Sequence, residues 1–241
     1  MFFISPTFLI LVGPALLLAF YAQYKVKKTY NKYANVNASA GLTARQAAQR
    51  VLEFGASRLN KPDLYDVGIE QAQGGGLTDH YDPRQKVLRL SNPDSRSLAD
   101  IGVAAHEAGH AIQDAAEYQP LVVRSALVPV VSFGSNLAMP LIMVGLFLTM
   151  MGTILGQWIF LAGILGMAAM VVFTLVTLPV EFNASSRAKE VLVKSGVLSS
   201  KQELSAVSSV LNSAALTYVA SAAVAIMQLA YFVLMFLGMR R

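Results

Sequence analysis

Four long apolar runs constrain the fold of this chain more than any other feature of its sequence. They occupy residues 1–24, 127–151, 158–180 and 214–238. A helix needs about 20 apolar residues to cross the hydrocarbon core of a bilayer, and each run is long enough. Hydrophobic residues make up 55% of the chain and charged residues only 14%, which is too apolar for an ordinary soluble domain. The sequence therefore predicts a mainly α-helical membrane protein with about four transmembrane helices.

Two polar segments, residues 25–126 and residues 181–213, separate the apolar runs. The first is expected to form a small α+β region with a short sheet, and the second a helical segment. Thr43 and Gln46 form a capping box that starts a helix at Ala44. Alternating polar and apolar residues indicate two short strands, at Tyr65–Gln71 and Gln85–Leu90.

Basic residues beside the first run indicate the orientation of the chain. Lys25, Lys27 and Lys28 follow this run, which has no basic residue before it and is longer than a signal-peptide core. We therefore interpret the run as a membrane span. The positive-inside rule then places the N-terminus outside and both polar segments in the cytoplasm. The terminal pair Arg240-Arg241 would lie outside, against the rule, so the orientation depends on the lysines.

The polar residues with the clearest chemistry lie on one predicted helix. Ser97 is a good N-cap for a helix from Leu98 to Glu117. His106 and His110 are four residues apart on it, so both imidazoles project from one face, about 6 Å apart along the axis. Glu107 follows the first histidine directly. This His-Glu-Ala-Gly-His sequence, an HEXXH motif, predicts a zinc site with a general base beside it.

The motif fits hydrolysis of a peptide bond by a zinc-activated water. Zinc polarises the scissile carbonyl and lowers the pKa of its water toward neutrality. Glu107 is expected to take the water proton and to pass it to the leaving amine. The alternative is a helix whose histidines only form hydrogen bonds in the core, but these polar residues would be costly to bury without a metal. The chain has no cysteine, which excludes a cysteine-ligated metal.

A catalytic zinc needs a third protein ligand, and the sequence restricts the choice. The acidic residues downstream of the motif are Asp114, Glu117, Glu181, Glu190 and Glu203. The first two share the motif helix and lie too far along it to complete a tetrahedron easily. The last two are expected to be solvated. Glu181 directly follows an apolar run and returns to the side of the membrane that holds His106, so we predict it as the third ligand. Its alternative role is to cap the end of that transmembrane helix.

Other charged residues carry weaker predictions. Asp114 and Glu117 either accept the free N–H of His110 or are solvated. His80 is expected to be a surface or packing residue in a loop. The net charge of +5 is spread along the chain and largely matched by acids, so nucleic acid is not an expected partner. The basic run Lys25–Lys32 is expected to contact anionic membrane lipid.

Three sequence blocks together resemble the YugP-type putative neutral zinc metallopeptidases of bacterial membranes. They are His106–Gln113, Asp79–Arg84 and Glu181–Ser185, and the resemblance runs over nearly the whole chain. The family is similar to the clan of HtpX and CAAX proteases, which are gluzincins. The resemblance implies a zincin-like polar region with Glu181 as the third zinc ligand. It also implies that Lys86–Leu90 is an edge strand able to pair with extended substrate. An aspartate usually stands where this chain has Ser185.

Two functions are consistent with these residues. The first is an integral-membrane zinc endopeptidase of the bacterial cell membrane, with one zinc held by His106, His110 and Glu181. It would act on peptide or membrane-protein substrates at the cytoplasmic face, in membrane-protein quality control. The second is a non-catalytic membrane scaffold or adaptor that zinc stabilises. Glu107 favours the first, because a structural zinc site needs no general base and usually has four protein ligands. A membrane-protein partner and a homo-oligomer are both left open.

Overall fold

The computed structural model describes residues 5–73 and 78–239. Its helices and strands, in chain order, are α1 (Pro6–Tyr33), α2 (Ala44–Leu59), β1 (Gly68–Gln71), β2 (His80–Asp82), β3 (Val87–Leu90), α3 (Leu98–Ala115), α4 (Gln119–Met150), α5 (Ile154–Lys194) and α6 (Lys201–Met239). The beginning of the first predicted span and the pair Arg240-Arg241 lie outside the described residues.

The chain divides into two compact units. An apolar unit contains residues 1–22, 123–178 and 217–241, and a polar unit contains residues 23–122 and 179–216. Helices α1, α4, α5 and α6 contribute to both.

The apolar unit contains the parts of four helices that match the predicted membrane runs. Within the described residues, α1, α4, α5 and α6 are each long and apolar enough to cross a membrane by length and composition. A Cβ on Gly163 would lie 2.8 Å from the Ala138 carbonyl oxygen, so α4 and α5 pack at close range through small residues. The prediction of a mainly helical protein with four candidate spans and a short sheet is confirmed. The cytoplasmic placement of the polar residues stays a prediction.

Two helix boundaries differ from the sequence predictions. Helix α5 does not end with the third apolar run but continues without a break to Lys194. Glu181 therefore lies inside a helix, and the alternative that it caps the helix end is wrong. Helix α3 ends at Ala115, two residues earlier than predicted. The reason is local: Glu117 has a left-handed φ of 50°, which a helix cannot continue through.

The polar unit contains a three-stranded sheet in the order β1-β3-β2. Strand β3 pairs in parallel with β1 and antiparallel with β2, with Tyr81 opposite Leu88. The expectation that Lys86–Leu90 is an edge strand is wrong, because β3 has a neighbour on each side. Within the described chain, β2 is the edge strand next to α3. The strand predicted from Tyr65 begins only at Gly68, because Pro62–Asp66 forms a 3-10 helix.

The core of the polar unit lies between α2, α3 and the sheet. The predicted capping box of Thr43 and Gln46 is present at the start of α2. Val51 of α2, Leu88 of β3 and Ile101 of α3 are fully buried there. This packing fixes the position of α3 relative to the sheet, and α3 carries the motif.

Candidate metal centre

Helix α3 brings the two motif histidines together. The N-cap Ser97 accepts a hydrogen bond from the Asp100 N–H, which starts the helix two turns before the motif. The rings of His106 and His110 lie edge to face with their centroids 4.7 Å apart. Both side chains are partly buried. The two imidazoles therefore lie on one face of the helix, as their spacing in the sequence predicts.

Helix α5 supplies a buried carboxylate to the same place. Glu181 is only 2% exposed. Its Oε2 lies 3.2 Å from Nε2 of His106 and 3.6 Å from Nε2 of His110. One ligand atom from each of the three residues lies within 4.8 Å of the other two, and no other group of three potential ligands is found in the described residues. Two imidazoles and one carboxylate are the donor set of many catalytic zinc sites. The structure thus brings together the three residues predicted as ligands, and their ligation of a metal stays a prediction.

A glycine in the motif allows the two helices to come this close. A Cβ on Gly109 would lie 2.8 Å from the carbonyl oxygen of Ala184, which is nearer than real Cβ contacts come. Because Ala184 lies less than one turn from Glu181, this contact places the carboxylate directly above the motif face of α3.

Each histidine has a partner at its second ring nitrogen. Nδ1 of His110 lies 3.0 Å from Oε1 of Gln113, and Nδ1 of His106 lies 3.1 Å from Oγ of Ser185. Both Nε2 atoms therefore face Glu181, as an Nε2-bound metal requires. Sequence reasoning missed Gln113, although its position three residues after His110 puts the two side chains on one face of the helix. Ser185 was noted in the sequence only because the clan usually has an aspartate at that position.

Glu107 is held by the edge strand of the sheet. This side chain is 9% exposed, and its Oε2 accepts a hydrogen bond of 3.0 Å from the backbone N–H of Tyr81 on β2. The strand is in turn attached to α3 by its side chain, because the Tyr81 hydroxyl donates to Oδ2 of Asp114 at 2.8 Å. Nothing in the sequence signalled this contact, since β2 is only three residues long.

The rival third ligands are occupied elsewhere or exposed. The Asp114 carboxylate accepts a hydrogen bond from the Tyr81 hydroxyl and forms an ion pair of 2.5 Å with Lys86. These contacts direct it toward the sheet and not toward the two histidines. Glu117 follows the end of α3 and is exposed. The alternative that Asp114 accepts the N–H of His110 is wrong, because Gln113 occupies that position.

Three other charged residues behave as follows. Glu190 pairs with Arg58 and Lys194 at the surface, in agreement with its predicted solvation. Glu203 was predicted to be solvated but is 7% exposed, because it accepts hydrogen bonds from Ser39. His80 is exposed, as expected, but lies in β2 and not in a loop.

The surroundings of the site shift the pKa values of His110 and Tyr81. Burial alone lowers the pKa of the His110 imidazole, but its interaction with Glu181 and the charge of Glu107 outweigh burial, so this pKa is raised above its usual value. Burial and the hydrogen bond to Asp114 raise the pKa of the Tyr81 phenol above its usual range, so the hydroxyl stays a donor. The raised pKa of the His110 imidazole reflects the two carboxylates beside it.

Comparison with known proteins shows similarity over nearly the whole chain. Residues 8–237 match the family described as "Putative neutral zinc metallopeptidase". The chain is also 45% identical over 236 residues to a protein of Bacillus subtilis (strain 168) named "Putative membrane protease YugP". That alignment covers 97% of this chain and 98% of the relative. No solved structure matches the chain.

Proposed function

The chain belongs to the family of putative neutral zinc metallopeptidases, and from that premise we propose that it is a membrane-embedded zinc endopeptidase. The observation that carries the proposal is the convergence of His106 Nε2 and His110 Nε2 on one carboxylate oxygen of Glu181. A buried carboxylate facing two imidazoles from a different helix fits a divalent cation bound between them. We propose these three residues as the ligands of one zinc ion per chain.

Zinc held there would supply Lewis acidity, which polarises a peptide carbonyl and lowers the pKa of a water molecule. The remaining chemistry belongs to Glu107. One of its oxygens is fixed by the N–H of Tyr81, which leaves the other to accept a proton from the attacking water. The same carboxyl group then donates that proton to the leaving amine. Gln113 and Ser185 orient the imidazoles while this happens.

The proposed substrates are peptide segments of membrane proteins at the cytoplasmic face, and the proposed role is membrane-protein quality control. The charge distribution supports a polar unit that faces the cytoplasm. Between Ser5 and Leu52 the chain has six basic residues and no acidic residue, and four of the basic residues directly follow the first apolar run. Such a distribution favours the cytoplasmic side and attracts anionic lipid.

Metal removal tests the proposal against a zinc-stabilised scaffold. Detergent-purified protein should cleave an unfolded protein such as casein, lose this activity after dialysis against a chelator, and regain it when one equivalent of zinc is returned. A scaffold would instead lose thermal stability on chelation and show no cleavage in either state. Absence of cleavage by the zinc-loaded protein would refute the endopeptidase.

A further inference from the structure

One polar side chain in the site is fully buried and joins the two helices that carry the candidate ligands. Gln113 of α3 is 0% exposed. Its amide nitrogen lies 2.8 Å from the backbone carbonyl of Val180 and 2.9 Å from Oδ1 of Asn183, both on α5. Its amide oxygen lies 3.0 Å from Nδ1 of His110. A buried amide that satisfies three partners on two helices is costly to replace.

The partners of Gln113 fix which way its amide points. The carbonyl of Val180 can only accept a hydrogen bond, so the NH2 group of Gln113 must face α5. The orientation of Asn183 is fixed in the same way, because Nε of Arg187 can only donate and lies 2.7 Å from Oδ1. The amide oxygen of Gln113 is then the atom that faces His110.

The amide orientation decides the tautomer of His110. An oxygen at 3.0 Å from Nδ1 requires that Nδ1 carry the hydrogen. In the neutral ring Nε2 then keeps its lone pair, and Nε2 is the atom that faces Glu181. His106 has no such constraint, because the Ser185 hydroxyl can donate or accept. Gln113 therefore fixes the tautomer of His110, whereas Ser185 leaves the tautomer of His106 open.

We propose that Gln113 is the positioning residue that presets His110 as an Nε2 ligand and links the two ligand-bearing helices, so that it controls zinc affinity before substrate binds. This inference rests on the proposed function, since it assumes zinc at this site. A neutral amide can link the two helices because its NH2 group donates to the Val180 carbonyl at 2.8 Å. A glutamate carboxylate at position 113 would place an acceptor oxygen against that carbonyl oxygen and leave both without a donor.

The test compares Gln113→Met with a matched control on the same helix. Methionine keeps the length and volume of the side chain but forms none of the three hydrogen bonds. Ser97→Ala removes the N-cap of α3, away from the ligands. Zinc affinity is measured by competition with a chelator. Gln113→Met should bind zinc about 10–100-fold more weakly, while Ser97→Ala lowers thermal stability and changes zinc affinity less than twofold.

A second readout needs no metal. The chain has three histidines, so 15N-labelled histidine gives three resolvable imidazoles in the zinc-free protein at a pH where the rings are neutral. His110 should be in the Nδ1–H tautomer in the wild type and in a mixture of tautomers in Gln113→Met. Unchanged zinc affinity or an unchanged tautomer in that variant would overturn the inference. A wild-type chain that binds no zinc would instead refute the proposed function. The tautomer measurement on the zinc-free protein would still show whether Gln113 sets the tautomer of His110.

Discussion

The close contact between the motif helix and α5 leads to a quantitative prediction for Gly109→Ala. A Cβ at this position would lie 2.8 Å from the Ala184 carbonyl oxygen, whereas ordinary contact begins at 3.4 Å. The atom it meets is backbone, so the two helices must separate by roughly 0.6 Å. Metal–ligand distances tolerate only about 0.2 Å. The two histidines and Glu181 would thus no longer reach one ion with good geometry.

The expected result is a loss of zinc affinity larger than the loss of stability. Overpacking lowers the free energy of unfolding by about 1–3 kcal/mol, and the better helix propensity of alanine offsets up to about 1 kcal/mol of that loss. Zinc affinity should fall at least tenfold, measured by chelator competition beside thermal unfolding of the zinc-free protein. Gly102→Ala is the matched control on α3, because its Cβ would meet only the Val207 side chain at 3.1 Å. Wild-type zinc affinity in Gly109→Ala would refute the argument that helix spacing sets the site.

Two further predictions test the ligand and the topology. Glu181→Ala should abolish stoichiometric zinc binding while the protein still inserts and folds. Asp114→Ala should keep its zinc, because Asp114 bonds to Tyr81 of the sheet. The reverse pattern in a metal assay would make Asp114 the ligand. For topology, single cysteines at the exposed positions Ser57 and Gln202 should resist an impermeant thiol reagent in intact cells, while a cysteine at exposed Thr153 reacts. Labelling of the first two and protection of the third would invert the orientation.

The motif helix and the place of Glu181 beside it could be predicted for different physical reasons. His106 and His110 are local: a spacing of four on a helix decides their geometry without any tertiary structure. Glu181 is 75 residues from His106 along the chain. Its position beside the histidines was predicted because the membrane restricts where the chain can return and because the sequence has few acidic residues downstream of the motif. Charge next to an apolar run was the deciding signal.

The partners of these residues were not predictable in the same way. Gln113 acquires its role only when Val180 and Asn183 of a distant helix pack against it. Tyr81 reaches Glu107 through a backbone N–H, which no side-chain pattern reveals. The resemblance implied that Lys86–Leu90 is an edge strand, and this was wrong because the three-residue strand β2 pairs with it. Alternation in the sequence identifies a strand but does not reveal such a short neighbour.

Zinc content and casein cleavage, measured side by side on the wild type and Glu107→Gln, test most directly whether Glu107 is the general base of a zinc peptidase. We expect equal zinc in both proteins, because the three candidate ligands are unchanged. We expect cleavage to fall by roughly 10²–10⁴-fold, because an amide cannot take the proton from water. Wild-type turnover by Glu107→Gln would refute a catalytic role for Glu107.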